Sequence, residues 1–245
     1  MAQPAFKLHS SETGTGYSLF ASEPSAPGPW RTFLVMDGDM FASGRVDLGP
    51  VNQVADNMLL VGVGYGAGFG DPHNRRGRDY TPVAHGDEPT SGGGDAFLRF
   101  LSDTLWPELV RRYPVDPRVR GIAGHSIGSL LVLHALFQAE PFFTHFLASA
   151  PSIWWADRAI LKQAAELRAR QSRLPGKLFL SVGEKDTVSM TGDLRQLEKQ
   201  LAAQPFAGLE ITSRIFPGFD HYDVVPVAFA TGLAALLSGE TDAKL

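Results

Sequence analysis

The sequence predicts an α/β protein: a mainly parallel central sheet with helices on both faces, in one domain over residues 1–245 and without a separate cap domain. Three observations point there. From residue 118 onward, short β-rich runs alternate with longer helical ones, as they do when crossover helices join parallel strands. The chain has 245 residues, 44% of them hydrophobic and 20% charged, enough to bury a sizeable core without a metal or disulfide staple. Gly124-His-Ser-Ile-Gly128 falls between an apolar run and an apolar helical stretch, as a sharp strand-to-helix turn does.

In chain order, residues 16–21 (GYSLFA) alternate like a strand, and Ser22 to Pro29, with three prolines, reads as a hairpin or loop. Thr32 to Met36 is a compact apolar strand that runs into a loop at Asp37-Gly38-Asp39, and Met58 to Tyr65 is a second buried strand. Residues 66–95 hold eight glycines, three arginines and three prolines with little apolar periodicity. A loop of that length inside a compact domain points to function, so it is expected to overhang the site. A helix follows near Asp95, with Phe97, Phe100, Leu101 and Leu105 at helical spacing and Asp95 placed to cap it. Strands are then expected at Arg118–Ala123, Phe146–Ala150, Lys177–Val182 and Leu209–Phe216. Helices are expected at Ser129–Ala139, Ala156–Arg170, Gly192–Gln204 and Val224–Leu237. Ligands of such sheets bind at the carboxyl ends of the strands, so residues just past each strand carry the functional expectation.

Gly124-His125-Ser126-Ile127-Gly128 fits G-x-S-x-G, in which a tight turn lifts a serine hydroxyl above the sheet and the next helix begins with free N–H groups. A serine needs a base to take its proton. Of seven histidines, His221 in Phe216-Pro-Gly-Phe-Asp-His-Tyr follows the last strand at the same sheet end as Ser126. His134 lies well inside the elbow helix as a packed or surface residue, and His73 and His85 lie in the long loop. The carboxylate that would orient the base is Asp186, with Glu184 as the alternative and Asp157 behind both. The order serine, acid, histidine is the one found in α/β-hydrolases. Oxyanion donors are expected from the backbone of Ile127 and from Asp39 or Met40. Arg78, in the cluster Arg75, Arg76 and Arg78, is a candidate for an acidic part of a substrate, against the plainer alternative of an ion pair with Asp79. His125 would flank Ser126 and is a candidate substrate contact. Trp154 and Trp155 would wall an apolar acyl or aryl pocket or pack in the core.

Other classes lack their signatures. Without cysteine there is no thiol nucleophile, thiolate zinc site or iron–sulfur cluster. The net charge of −4 implies no basic face for nucleic acid. The alternating glycines of Val61–Gly70 fit no G-x-G-x-x-G register and open no helix, so no dinucleotide site is expected. No histidine or carboxylate spacing suggests a metal, and no cofactor is expected. Apolar runs fall short of the roughly 18 residues that cross a membrane. The N-terminus lacks a charged segment followed by an apolar one, so the expectation is a cytoplasmic protein with a small-molecule partner and an oligomeric state left open.

Taken together, Leu34-Val-Met-Asp-Gly-Asp39, Arg78-Asp-Tyr-Thr-Pro82, Gly93-Gly-Asp-Ala-Phe-Leu98, Gly124-His-Ser-Ile-Gly128, Ala150-Pro-Ser-Ile-Trp-Trp155, Ser181-Val-Gly-Glu184 and Pro217-Gly-Phe-Asp-His221 resemble the putative-esterase (esterase D-like) family of the α/β-hydrolase superfamily. The resemblance is nearest to its branch containing enterobactin-type trilactone siderophore esterases. It implies the α/β-hydrolase fold, with the family's serine on Ser126 and its histidine on His221. Gly183-x-x-Asp186 matches the esterase D form of the acid. The chain departs from many relatives in having Ser129 where they have a second glycine after the elbow. The expected activity is hydrolysis of a small carboxylic ester or siderophore-like lactone through an acyl-enzyme. The alternatives are acyl transfer by the same serine and a non-catalytic binding protein on this fold.

Overall fold

A computed structural model of the chain describes residues 3–238 apart from 45, 48 and 87. Its strands are β1 (Phe6–Ser10), β2 (Thr15–Ser22), β3 (Trp30–Met36), β4 (Met58–Gly64), β5 (Val115–His125), β6 (His145–Ser149), β7 (Arg173–Gly183) and β8 (Ala207–Phe216). They form one eight-stranded sheet in the order β1-β2-β4-β3-β5-β6-β7-β8. β2 pairs antiparallel with β1 and with β4, and every pairing from β4 through β3 to β8 is parallel. This is the α/β-hydrolase fold.

Between the strands lie α1 (Gly38–Ala42), α2 (Gly49–Asn52), α3 (Arg76–Asp79), α4 (Gly94–Arg99), α5 (Trp106–Arg112), α6 (Ile127–Leu136), α7 (Trp155–Arg170), α8 (Val188–Ala203) and α9 (Val225–Leu237). A π-helical stretch, Phe100–Leu105, joins α4 to α5. It ends next to Pro107, which offers no N–H and crowds the carbonyl four residues back.

Alternation along the strands splits the core between the two faces. Leu34 and Met36 of β3 join Ile122, Leu130 and Leu133 beneath α4 to α8, while Phe33 and Val35 join Ala123, Leu147, Phe179, Phe229 and Leu233 beneath α2 and α9. The elbow helix α6 is apolar all round, and all its residues but Ile127 are buried, as for a helix wedged between sheet and outer helices.

The structure corrects the expected cap at Asp95. Gly93 takes the N-cap position of α4, and Asp95 turns away to bond His134 Nε2 at 2.8 Å, a partner its position in the sequence did not suggest. β1 was not expected: as an edge strand with an intermediate–exposed pattern it carries little apolar signal. Among the described residues no helix is long and apolar enough to cross a membrane.

Candidate active site

The turn at Ser126 is built by its glycines. A Cβ on Gly124 would lie 2.4 Å from the Gly128 carbonyl carbon, so the strand can fold back onto the helix only with glycine there. Ser126 itself has φ 57° and ψ −121°, a conformation that side chains rarely adopt. Its strain is held by the Ser126 N–H donating to Ser149 O at 3.0 Å, and by the N–H groups of Ser129 and Ser152 donating to Ser126 O. Ser129 uses its hydroxyl to tie Gly124 O and Ser149 O together.

His221 and Asp186 come from the loops after β8 and β7, which are zipped together. Glu184 N–H donates to Phe216 O and Lys185 N–H to Phe219 O, both at 2.9 Å. Gly183 allows this approach, since a Cβ there would stand 2.4 Å from Phe219 O. His221 Nδ1 then lies 2.7 Å from Asp186 Oδ2, in a pair whose carboxylate is 1% exposed. The other Asp186 oxygen accepts from Thr187 N–H at 2.7 Å. Glu184 is exposed and accepts from Gly218 N–H at 2.9 Å, which pins the turn that precedes His221. Asp157 sits in an exposed left-handed turn, Ala156–Arg158, at the start of α7.

Asp37, also left-handed at φ 59°, starts α1 directly after β3. Its N–H donates to the buried Tyr80 hydroxyl at 3.0 Å, and its carboxylate takes a two-pronged bond from Arg76 at 2.8 and 2.9 Å. The N–H of Asp39 belongs to the first turn of α1, where helical donors have no intrahelical partner. Met40 is a correction: its N–H donates to Asp37 O at 2.8 Å and is spent inside that turn. The Asp39 side chain accepts from Tyr65 and Gly66 N–H groups, although burial pushes its carboxyl above the usual range. A cavity of about 130 Å³, lined by Asp39, Met40, Ser43, Phe69 and the backbone of residues 66–68, opens beside this turn.

Three further expectations are redirected by packing. Arg78 bonds Asp79 at 2.7 Å, Thr13 O at 3.1 Å and Thr15 Oγ1 at 2.8 Å, so its guanidinium clamps the β1–β2 turn and the ion-pair alternative is the one realised. Trp155 is 4% exposed and donates from Nε1 to Val83 O at 3.0 Å, with its ring edge-on to His85. It fastens the long loop rather than lining an opening, whereas Trp154 is 45% exposed at the strand end. His125 is 7% exposed, wedged between Ser149 and His221, and so is turned away from substrate.

Residues 66–95 fold back over the sheet end through turns, α3 and a short bridge between His85 and Glu88. The sequence reading passed over Ser152, which is 2% exposed with its Oγ 3.4 Å from Ser126 Oγ. Its signal in the sequence is its place in Ala150-Pro-Ser-Ile-Trp-Trp155, just beyond the end of β6. Among the described residues no group of three or more His, Asp or Glu side chains is gathered where a metal ion could sit.

Comparison with known proteins gives the same picture at the level of the whole chain. A family model described as "Putative esterase" matches residues 35–224. The chain is 29% identical over 242 residues to the ferri-bacillibactin esterase BesA of Bacillus subtilis, with 89% of this chain and 83% of that protein covered. It is 23% identical to the apo-salmochelin esterase of Escherichia coli, over 91% of this chain and 75% of that one. The crystal structure of the BES protein from Bacillus cereus superposes with a TM-score of 0.79 at 25% identity, covering 93% of each chain.

Proposed function

The chain belongs to the "Putative esterase" family, and from that membership we propose that it is a serine carboxylic-ester hydrolase working through an acyl-enzyme at Ser126. The observation that carries the reading is a strained serine elbow, φ 57°, at the sheet end whose loops also hold a His221–Asp186 pair at 2.7 Å.

Ser126 Oγ attacks the ester carbonyl carbon while His221 Nε2 takes its proton. Asp186 holds the imidazole with Nδ1–H toward it and stabilises the imidazolium that forms. The negative oxygen of the tetrahedral intermediate is met by the N–H of Ile127, the first residue of α6, and by the N–H of Asp39 in the first turn of α1. Both are helix N-termini, so the peptide dipoles add to the hydrogen bonds. Collapse expels the alcohol, which carries away the proton held by His221. Water then repeats the cycle in reverse and frees the acid and Ser126.

The substrate is a small-molecule ester, and the names of the relatives favour a siderophore-like lactone. The loop of residues 66–95 and the exposed Trp154 past the end of β6 shape that site. The test is covalent labelling with a fluorophosphonate followed by peptide mapping, alongside turnover of short acyl, aryl and trilactone esters. Label on the Ser126 peptide that disappears in His221→Ala is the expected result. A folded protein that takes no label would sink the proposal.

A further inference from the structure

His125 has a chemistry that the esterase cycle does not use. It precedes the nucleophile on β5, at a register where its ring points to the α9 face of the sheet, the face from which the His221 loop descends. Its Nδ1 lies 3.2 Å from Ser149 Oγ on the neighbouring strand β6. Its Nε2 is buried without a hydrogen-bond partner. Its ring stands 4.6 Å, centroid to centroid, from that of His221, the planes tilted by 49°. A buried polar atom left without a partner costs on the order of 1–3 kcal/mol, and an apolar residue here would avoid it.

We propose that His125 is a positioning residue for His221: a buried imidazole, anchored by Ser149, that braces the base's ring while Asp186 holds its edge. The proposal rests on the reading of Ser126 and His221 given above. With only one hydrogen bond a histidine ring can still swing about its Cβ–Cγ axis and lose alignment with the serine, and catalysis is sensitive to displacements of about 1 Å. The His125 ring closes off that swing. The other charged groups that bear on the pair are Asp186 on the β7–α8 loop, Arg76 on α3, and Asp220 and Asp223 on the loop of His221 itself. Burial first, then the charges of His221 and Arg76, disfavour a positive charge on His125, while the His221 backbone acts weakly the other way.

The test compares the second-order rate of fluorophosphonate labelling, kcat and KM on an aryl ester for three variants. His125→Asn keeps an acceptor near the Nδ1 position and removes the ring. Labelling and kcat should fall about tenfold while KM stays within about twofold. His125→Phe restores a ring and should recover at least a third of the wild-type kcat. Ser149→Ala, which deletes a single oxygen, should lose about threefold in kcat with KM held, and it keeps the test available if His125→Asn does not fold. Unchanged labelling and kcat in His125→Asn and Ser149→Ala overturn the proposal. So does a loss common to all three variants with no recovery in His125→Phe, which is the mark of a merely structural role. Wild-type protein that takes no label at Ser126 fails at the earlier reading and takes this one with it.

Discussion

His221 Nδ1 and Asp186 Oδ2 meet at 2.7 Å, while Glu184, two residues earlier on the same loop, faces the backbone of Gly218. One short loop thus carries two carboxylates with different work: one to hold His221, one to hold the turn that precedes it. Asp186→Asn keeps the shape but offers the imidazole an amide in place of a full acceptor, and kcat should fall about 1,000- to 10,000-fold. Glu184→Gln should leave kcat within a few-fold and lower the melting temperature slightly. Steady-state kinetics on an aryl ester, read beside a thermal melt, decide this. A larger loss in Glu184→Gln than in Asp186→Asn would reverse the assignment.

The backbone at Ser126 stores strain. Its φ of 57° with ψ −121° costs a non-glycine residue about 1–3 kcal/mol, and glycine gives back part of that through its greater unfolded entropy, about 0.5–1 kcal/mol. Ser126→Gly should therefore be inactive yet about 1 kcal/mol more stable than Ser126→Ala, which loses the hydroxyl but keeps the strain. Urea unfolding of the two variants measures the difference. Equal stabilities would mean that the turn is held in this shape without cost.

Arg76 and Arg78 stand two residues apart and are spent on different buried carboxylates. Arg76 holds Asp37, whose left-handed backbone starts α1, and Arg78 holds Asp79 against the β1–β2 turn. Removing either leaves a buried carboxylate short of a partner, worth about 3 kcal/mol. Only Arg76→Ala should also disturb the Asp39 N–H. Its kcat, measured well below the melting temperature, should fall about tenfold, against no more than twofold for Arg78→Ala. A selective rise in KM for Arg78→Ala, with its stability unchanged, would restore the substrate role that the sequence suggested.

What could be read from the sequence divides along physical lines. Strands such as Thr32–Met36 and Lys177–Val182 are apolar because both faces of a parallel sheet are covered, and the elbow is legible because its glycines are demanded by contact distances within five residues. The nucleophile, base and acid candidates could be named because each follows a strand. The Arg78–Asp79 pair could be read from adjacency, but the distant partners of Arg78, Trp155 and His125 could not, since they depend on which loops meet across 72 residues for Trp155 and Val83, or 65 for Arg78 and Thr13. Short α1 was read as loop because Gly38-Asp39-Met40 has no periodicity to show; its helix exists because Asp37 adopts a left-handed start fixed by Tyr80 and Arg76.

His125 also leaves a signature in the stability of the whole protein. Burial, with the nearby positive groups His221 and Arg76, pushes its imidazole down to about 3, against a usual value near 6.5. The folded state therefore binds less of this proton than the unfolded chain does throughout that interval. Its contribution is fully present above about pH 6.5 and is lost progressively as pH falls toward 3. The slope contributed approaches one proton, about 1.4 kcal/mol per pH unit. His125→Phe has no such proton to refuse, so its unfolding free energy should fall less steeply with acid. The gap between the two slopes should approach one proton between pH 5.5 and 4. Urea titrations at half-unit steps measure both curves. Parallel curves would mean that the ring is protonated, or hydrated, inside the fold.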